Sequence, residues 1–532
     1  MFKKYLRKSS ALVTTALVLG LLSGCGGSPT ASTTAGGSQA AGAESAPSAG
    51  SAEKKDSVVV GITEPSELVP DLSTDLTGKQ IFVNIYDNLM IIDNEGNYVP
   101  RLATEYTISD DQLTITFKLR EGVTFHNGEA FTAEDVKYSL DRYAANKRMS
   151  KYYLYMTDVE ILDDYTVALH YSQPNSAALE CLFSPRGSLI LDKTTAEDPN
   201  VDLLETPIGT GPFKFVSRTT GDKIVLERYD SYWGELPSYK DLIYKVVNDS
   251  NAAIIALETG EVDLVYSVDE IHRANIESND KLSLYSELIA GTYYLALNTS
   301  DEVLSDVRVR QAISHAINKE ELLTACEQGY GAVSTNILAW NAKGTPSDFQ
   351  DVTYDVDKAK ALLAEAGYPD GLTLSLHTTQ ERPLYYNISQ VLQGQLAKAG
   401  ITVEMNVTDY ASMVEAVNTN HDYQMNINMY SLLAQDNATF MPQLCHSEQI
   451  KTQTNYAEYN NPEVDRLLEN ARDASSPADM EKAYTEFAEI IRDEAPYIPL
   501  YANYTNVVAN SKLKGVVANS MSIMYSVDWY WE

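Results

Sequence analysis

Leu113-Thr114-Ile115-Thr116-Phe117-Lys118-Leu119-Arg120-Glu121-Gly122-Val123-Thr124-Phe125-His126-Asn127-Gly128, followed by Phe131-Thr132-Ala133-Glu134-Asp135-Val136, is the stretch that decides the fold. From Leu113 to Leu119 apolar and polar residues alternate, the period of a strand with one buried face. Gly122 and the Asn127-Gly128 pair supply turns. Thr132 then caps a helix that opens Ala133-Glu134-Asp135, with Asp135 in the first turn where a carboxylate favours the helix dipole. Val136, Leu140 and Tyr143 share one face of that helix. A strand, a turn and a capped helix in succession predict a mixed α/β chain.

Working outward, Val58-Val59-Val60 reads as a buried strand that starts the folded body near Ser57. Tyr165-Thr166-Val167-Ala168-Leu169-His170 reads as another strand, with Tyr165, Val167 and Leu169 on one face. The second half holds helices with clear apolar stripes. One carries Val309, Ala312, Ile313, Ala316 and Ile317 behind an expected Ser305 cap. A second carries Ala359, Leu362, Leu363 and Ala366 and stops at Gly367. A third carries Ile388, Leu392, Leu396 and Ala399 and stops at Gly400. Ser476-Pro477 opens a fourth as cap and first position, with Met480, Ala483, Phe487, Ile490 and Ile491 facing inward. Strands such as Thr402-Val403-Glu404-Met405 lie between them, which is the pattern of an α/β layering.

The 532 residues exceed one core and suit two or three domains. The formal charge is -34, and removing Lys3, Lys4, Arg7 and Lys8 with a leader takes it to -38. So anionic a surface argues against nucleic acid, whose phosphates need Lys and Arg partners. Those four basic residues precede the short apolar run Ala11 to Leu22. That run is well below the roughly 20 residues that span a bilayer, so it reads as a signal peptide over 1–24. Its end, Leu22-Ser23-Gly24-Cys25, resembles the lipobox of bacterial lipoproteins and implies lipid on Cys25. From Gly26 to Lys55 the chain is rich in Gly, Ser, Ala and Thr without hydrophobic period, a flexible tether within 25–56. Cys181, Cys326 and Cys445 remain, enough for one disulfide at most, with buried unreactive thiols the favoured reading.

Motifs for chemistry are absent. There is no His-Glu-x-x-His, no Gly-x-Ser-x-Gly and no phosphate-cradling loop. The seven histidines are scattered without metal-ligand spacing, and no metal or cofactor is expected. His126, beside Asn127-Gly128, reads as a turn or hinge-surface histidine and Arg120 as a structural ion-pairing residue. The chain reads as a binder, not an enzyme.

The opening stretch also resembles the extracellular solute-binding proteins of family 5, the oligopeptide-, dipeptide- and nickel-binding lipoproteins of ABC importers. So do Ile85-Tyr86-Asp87-Asn88-Leu89, Pro100-Arg101-Leu102-Ala103, Gly209-Thr210-Gly211-Pro212-Phe213, Tyr232-Trp233 and Gly260-Glu261-Val262-Asp263. Asn298, Val309-Arg310-Gln311-Ala312-Ile313, Leu362 to Tyr368 and Pro496-Tyr497-Ile498-Pro499-Leu500 continue the likeness. The resemblance implies an α/β, two-lobed periplasmic-binding-protein-like fold with an additional domain (class II, peptide-binding type). Lobe I would comprise 57–77, 200–290 and 500–532, the additional domain 78–199, and lobe II 291–499.

It further implies a monomer outside the cytoplasm, on the cell surface or in the periplasm, held to the membrane by the Cys25 lipid. Such a protein shuts a hinge on a peptide or similar small solute and hands it to an ABC permease with its ATPase subunits. In peptide-binding members an aspartate of the second lobe receives the ligand's α-amino group. Asp436, in Tyr430-Ser431-Leu432-Leu433-Ala434-Gln435-Asp436-Asn437-Ala438-Thr439-Phe440, is the candidate here, although the family's tryptophan and glycine before it are missing. Tyr293, Tyr294, Trp340, Tyr430 and Tyr501 are aromatic candidates for the cleft, with core packing the competing reading of the tyrosines. Nickel chelates, sugars or opines remain open as ligands. A surface peptide sensor and a hydrolase are the readings outside import.

Overall fold

The computed structural model describes residues 55–532, apart from 74, 94–96, 148, 176, 185–186, 433–435, 453 and 475. The expected leader, Cys25 and the tether up to residue 54 lie outside the described residues.

The opening strand, Ser57–Ile62, buries Val58 and Val60 on one face. It is flanked in parallel by Asp241–Val246 and by Leu264–Tyr266. These three strands form the middle of a seven-stranded sheet. Its order is Leu282–Leu288, Tyr504–Asn510, Leu264–Tyr266, Ser57–Ile62, Asp241–Val246, Lys223–Arg228, Phe213–Thr219. A second sheet has six strands in the order Ala332–Val333, Tyr497–Ala502, Gly291–Leu297, Met425–Ser431, Leu372–Thr378, Ile401–Val407. The third sheet is antiparallel: Ala103–Ile108, Thr114–Leu119, Thr166–Tyr171, Met156–Asp163.

Periodicity explains where each core sits. In Thr114–Leu119 the buried residues are Ile115, Phe117 and Leu119, the alternation seen in the sequence. Gly291–Leu297 is buried at every position, because helices cover both faces of the six-stranded sheet. Leu295 and Leu297 face one apolar cluster, Tyr294 and Ala296 the other. A single cluster joins Val58, Val60 and Leu242 of the seven-stranded sheet to Phe117 and Leu169 of the four-stranded one and to Val136 of the helix Ala133–Ala145. The four-stranded unit therefore shares a core with the first lobe.

The turns around Asp87, His126 and Gly209 to Gly211 act as joints in that shared core. Asp87 is buried and accepts from Trp233 Nε1 at 2.9 Å, Thr210 Oγ1 at 3.0 Å and Tyr232 OH at 3.4 Å. Burial pushes its carboxyl up to about 6 against those three donors. His126 lies in a turn, as its sequence suggests, and is partly buried there. Its Nε2 lies 2.9 Å from the Gly211 carbonyl oxygen, its ring packs edge-on to Tyr229, and burial pulls its pKa down to about 4. Arg120 makes no ion pair among the described residues; its Nε donates to the Arg101 carbonyl, and its guanidinium lies 4.3 Å from the Trp233 ring.

Helix starts follow the caps with one shift. Thr132 and Asp135 form a capping box, and Ser476 caps Pro477–Glu494. The helix Val307–Ala316 is capped by Asp306 instead of Ser305. The Asp306 carboxylate accepts the Arg308 N–H at 2.9 Å, while Ser305 Oγ donates back to the Glu302 carbonyl. A carboxylate is the stronger acceptor at a helix start.

The two large sheets are linked at two adjacent crossings. One runs from Leu288 to Gly291, the other from Ala502 to Tyr504. The Ile289 N–H donates to the Asn503 carbonyl at 3.1 Å, which ties the crossings together.

Candidate functional site

Asp436 follows the strand Met425–Ser431, at the end nearest the crossings, and caps the helix Asn437–Cys445. Its side chain accepts from the Ala438 N–H at 2.9 Å and from Thr439 Oγ1 at 3.1 Å. It is 4% exposed, and its carboxyl is pushed up to about 6, first by burial and next by the charge of Glu180. Glu180 lies on the short helix Ala178–Phe183 and is also buried. Between the two acids stands Lys343, whose backbone pairs with Asp436 and whose Nζ meets Glu180 and, at 3.0 Å, Tyr98 OH. The Tyr98 hydroxyl donates to the same Glu180 oxygen. The other Glu180 oxygen is buried and makes no hydrogen bond. Cys181 Sγ touches Thr439 Oγ1 at 3.0 Å beside this cluster.

Two buried carboxylates therefore flank one lysine, which is itself half exposed, where the helices Ala178–Phe183 and Asn437–Cys445 meet. Such a junction carries excess negative charge and favours an added cation with hydrogen-bond donors.

The segment leading to Lys343 straps the crossings. Trp340 Nε1 donates to the Ile289 carbonyl at 2.8 Å while half of its side chain remains exposed. Asn341 Nδ2 donates to Ser520 Oγ of the C-terminal segment at 3.0 Å. The four tyrosine candidates lie inside the second lobe. Tyr293 packs on Tyr501 at 5.2 Å and edge-on to Tyr385 at 6.2 Å. Tyr294 lies against Tyr430 and Tyr497, and Tyr430 stacks on Phe440 at 4.6 Å with its hydroxyl donating to the Ile337 carbonyl. None of the four is more than 6% exposed, so each has the core-packing role.

Lys343, Glu180 and Tyr98 were not singled out in the sequence. Glu180 had a signal, an acid within the apolar Ala177-Ala178-Leu179-Glu180-Cys181-Leu182-Phe183; Lys343 and Tyr98 had none. Among the described residues Cys181, Cys326 and Cys445 form no disulfide, and burial raises the Cys326 thiol to about 11. Among the described residues no group of His, Cys, Asp and Glu is placed to hold a metal ion, and no helix is long and apolar enough to cross a membrane.

Two α/β lobes joined by paired crossings, with charged groups gathered beside the crossings, define a periplasmic-binding-protein-like fold. Residues 97–452 match the family model described as bacterial extracellular solute-binding proteins, family 5 Middle, and the chain belongs to that family. A relative named glutathione-binding protein GsiB, from Pectobacterium atrosepticum, is 30% identical over 468 residues, covering 86% of this chain and 90% of its own. The oligopeptide-binding protein AppA from Bacillus subtilis, solved with a nonapeptide, superposes with a TM-score of 0.77 at 28% identity, covering 90% of this chain and 99% of AppA. The binding protein AgaA from A. tumefaciens R10, solved with agropinic acid, gives a TM-score of 0.75 at 26% identity, with 90% and 99% covered. Family 5 proteins are the solute-binding components of ABC importers, and this chain is one of them.

Proposed function

We propose that the chain captures short peptides, or solutes with a similar free ammonium group, and delivers them to an ABC permease and its ATPase subunits. The observation that carries the reading is the pair of buried carboxylates, Asp436 and Glu180, with a single lysine between them. A ligand ammonium supplies the missing positive charge and three donors, and extended ligand backbone pairs with main chain along the cleft. Closure about the two crossings dries the site and strengthens those contacts. Glutathione and oligopeptides, named for two relatives, both present a free ammonium, which agrees with this choice. The protein works outside the cytoplasm as a monomer, tethered by lipid on Cys25.

The test compares trialanine with N-acetyl-trialanine by titration calorimetry, on the parent and on Asp436→Ala. Trialanine should bind tightly to the parent and lose roughly 30- to 150-fold in the variant, the equivalent of about 2–3 kcal/mol for a charge-assisted contact. The acetylated peptide should bind both proteins weakly and alike. Equal losses for both peptides would remove Asp436 from the role, and no binding of either would remove peptides from the reading.

A further inference from the structure

Glu327 ends the helix Lys319–Glu327 in the second lobe and is 6% exposed. Its Oε1 makes no hydrogen bond. Buried carboxylates without partners are uncommon, because an ionised acid out of water is costly. Facing it from the first lobe are Asp269 and Glu270, on the turn that precedes the helix Arg273–Glu277. Burial, then these two charges, push the Glu327 carboxyl up to about 8.

Among the described residues no cation is paired with Glu327. Arg273 is the nearby cation, but its guanidinium is spent on Glu270 at 2.6 and 3.0 Å, on Ser286 Oγ and on Asn506 Oδ1. Its open faces lie 4.3 Å from the Tyr330 ring and 5.6 Å from Tyr504. From the second lobe, Cys326, Tyr293 and Tyr501 surround Glu327, and burial raises all three. Gly331 follows Tyr330 with a φ of +138°, and a Cβ there would lie 2.5 Å from the Ala502 carbonyl oxygen, so the position admits no side chain. The contact thus joins the lobes beside the second crossing, flanked by Tyr501 before it and Tyr504 after it.

We propose that Glu327 is a proton-operated latch on the clamp, holding the lobes shut when its carboxyl is neutral and prising them apart from Asp269 and Glu270 when it is ionised. The proposal rests on the hinge closure described under the proposed function. In the open form water reaches Glu327, which then ionises in the ordinary carboxylate range. Closing takes up one proton from solvent. The closed population is therefore full below that range and is lost as pH rises through about 8, by up to tenfold per unit.

Trialanine affinity measured from pH 6.5 to 8.5 on the parent and on Glu327→Gln tests this, since ionisation of the peptide itself affects both proteins alike. The parent should lose at least tenfold relative to the variant across that interval. A constant ratio would overturn the latch. Hydrogen exchange of ligand-free protein at Leu288 to Gly291 and Ala502 to Tyr504 gives a second readout. The parent should exchange faster than the variant at pH 6.5 and by a wider margin at pH 8.5; equal rates at both would overturn it. If trialanine binds neither protein, the solute reading fails and the exchange comparison still decides the latch. If Glu327→Gln does not fold, Asp269→Asn at an exposed position should shrink the parent's loss, and an unchanged loss refutes the proposal.

Discussion

Replacing Gly291 by alanine tests whether the paired crossings are as tightly built as the structure shows. A Cβ at this position would lie 1.8 Å from the Tyr430 carbonyl oxygen and 2.9 Å from Ser431 Cα. That is more than about 1.5 Å short of van der Waals contact, so the strands Gly291–Leu297 and Met425–Ser431 must part. The bonds at risk are the Leu432 N–H to the Ala290 carbonyl at 2.8 Å and Trp340 Nε1 to the Ile289 carbonyl at 2.8 Å. Losing two such bonds at about 1 kcal/mol each, and stranding one buried partner at about 1–3 kcal/mol, gives about 3–5 kcal/mol. At about 2–4 °C per kcal/mol for a unit the size of this lobe, the melting temperature falls by about 6–20 °C. Differential scanning calorimetry reads the change, and trialanine affinity falls with it because the hinge is displaced. A variant that melts within about 2 °C of the parent would refute the tight crossing.

Asp87 ionises near 6 when folded and in the ordinary carboxylate range when unfolded. Its stabilising contribution is therefore complete below that range and lost as pH rises through about 6, and Asp87→Asn should remove this slope from a plot of melting temperature against pH. His126 has the opposite sign: its folded pKa is depressed to about 4, so its contribution is present above the ordinary histidine value and lost as pH falls toward 4. Replacing His126 by Asn should flatten that acid limb while Asp87 still titrates, and an unchanged limb would show that His126 is not buried neutral. Cys25→Ala should move the protein from the membrane fraction to the soluble exterior fraction of the producing cells, with trialanine affinity unchanged; retention at the membrane would remove the lipid from Cys25.

Much of the scaffold was legible because it rests on local rules. The alternation in Thr114–Leu119, the helix start at Thr132 and the Ser476-Pro477 start each depend on neighbours in sequence, and each was read correctly. What failed depends on distant neighbours. His126 sits in the turn its neighbours predict, but Gly209 and Gly211 close over it from more than 80 residues away, which no local pattern shows. Arg120 looks like half of an ion pair until Trp233 arrives beneath it. Tyr293, Tyr294, Tyr430 and Tyr501 look like cleft aromatics, yet the six-stranded sheet has helices on both faces and folds them inside. Asp436 was visible only through resemblance, and its partners Glu180 and Lys343 come from segments far apart in the chain. A charge cluster assembled from three such segments leaves no spacing for a sequence to display.

Small-angle X-ray scattering of the protein, alone and with saturating trialanine recovered intact afterwards, bears most directly on the clamp. The radius of gyration should contract on adding the peptide and re-expand when it is dialysed away. A peptide that binds at saturation yet leaves the scattering curve unchanged would contradict closure of the two lobes around a solute.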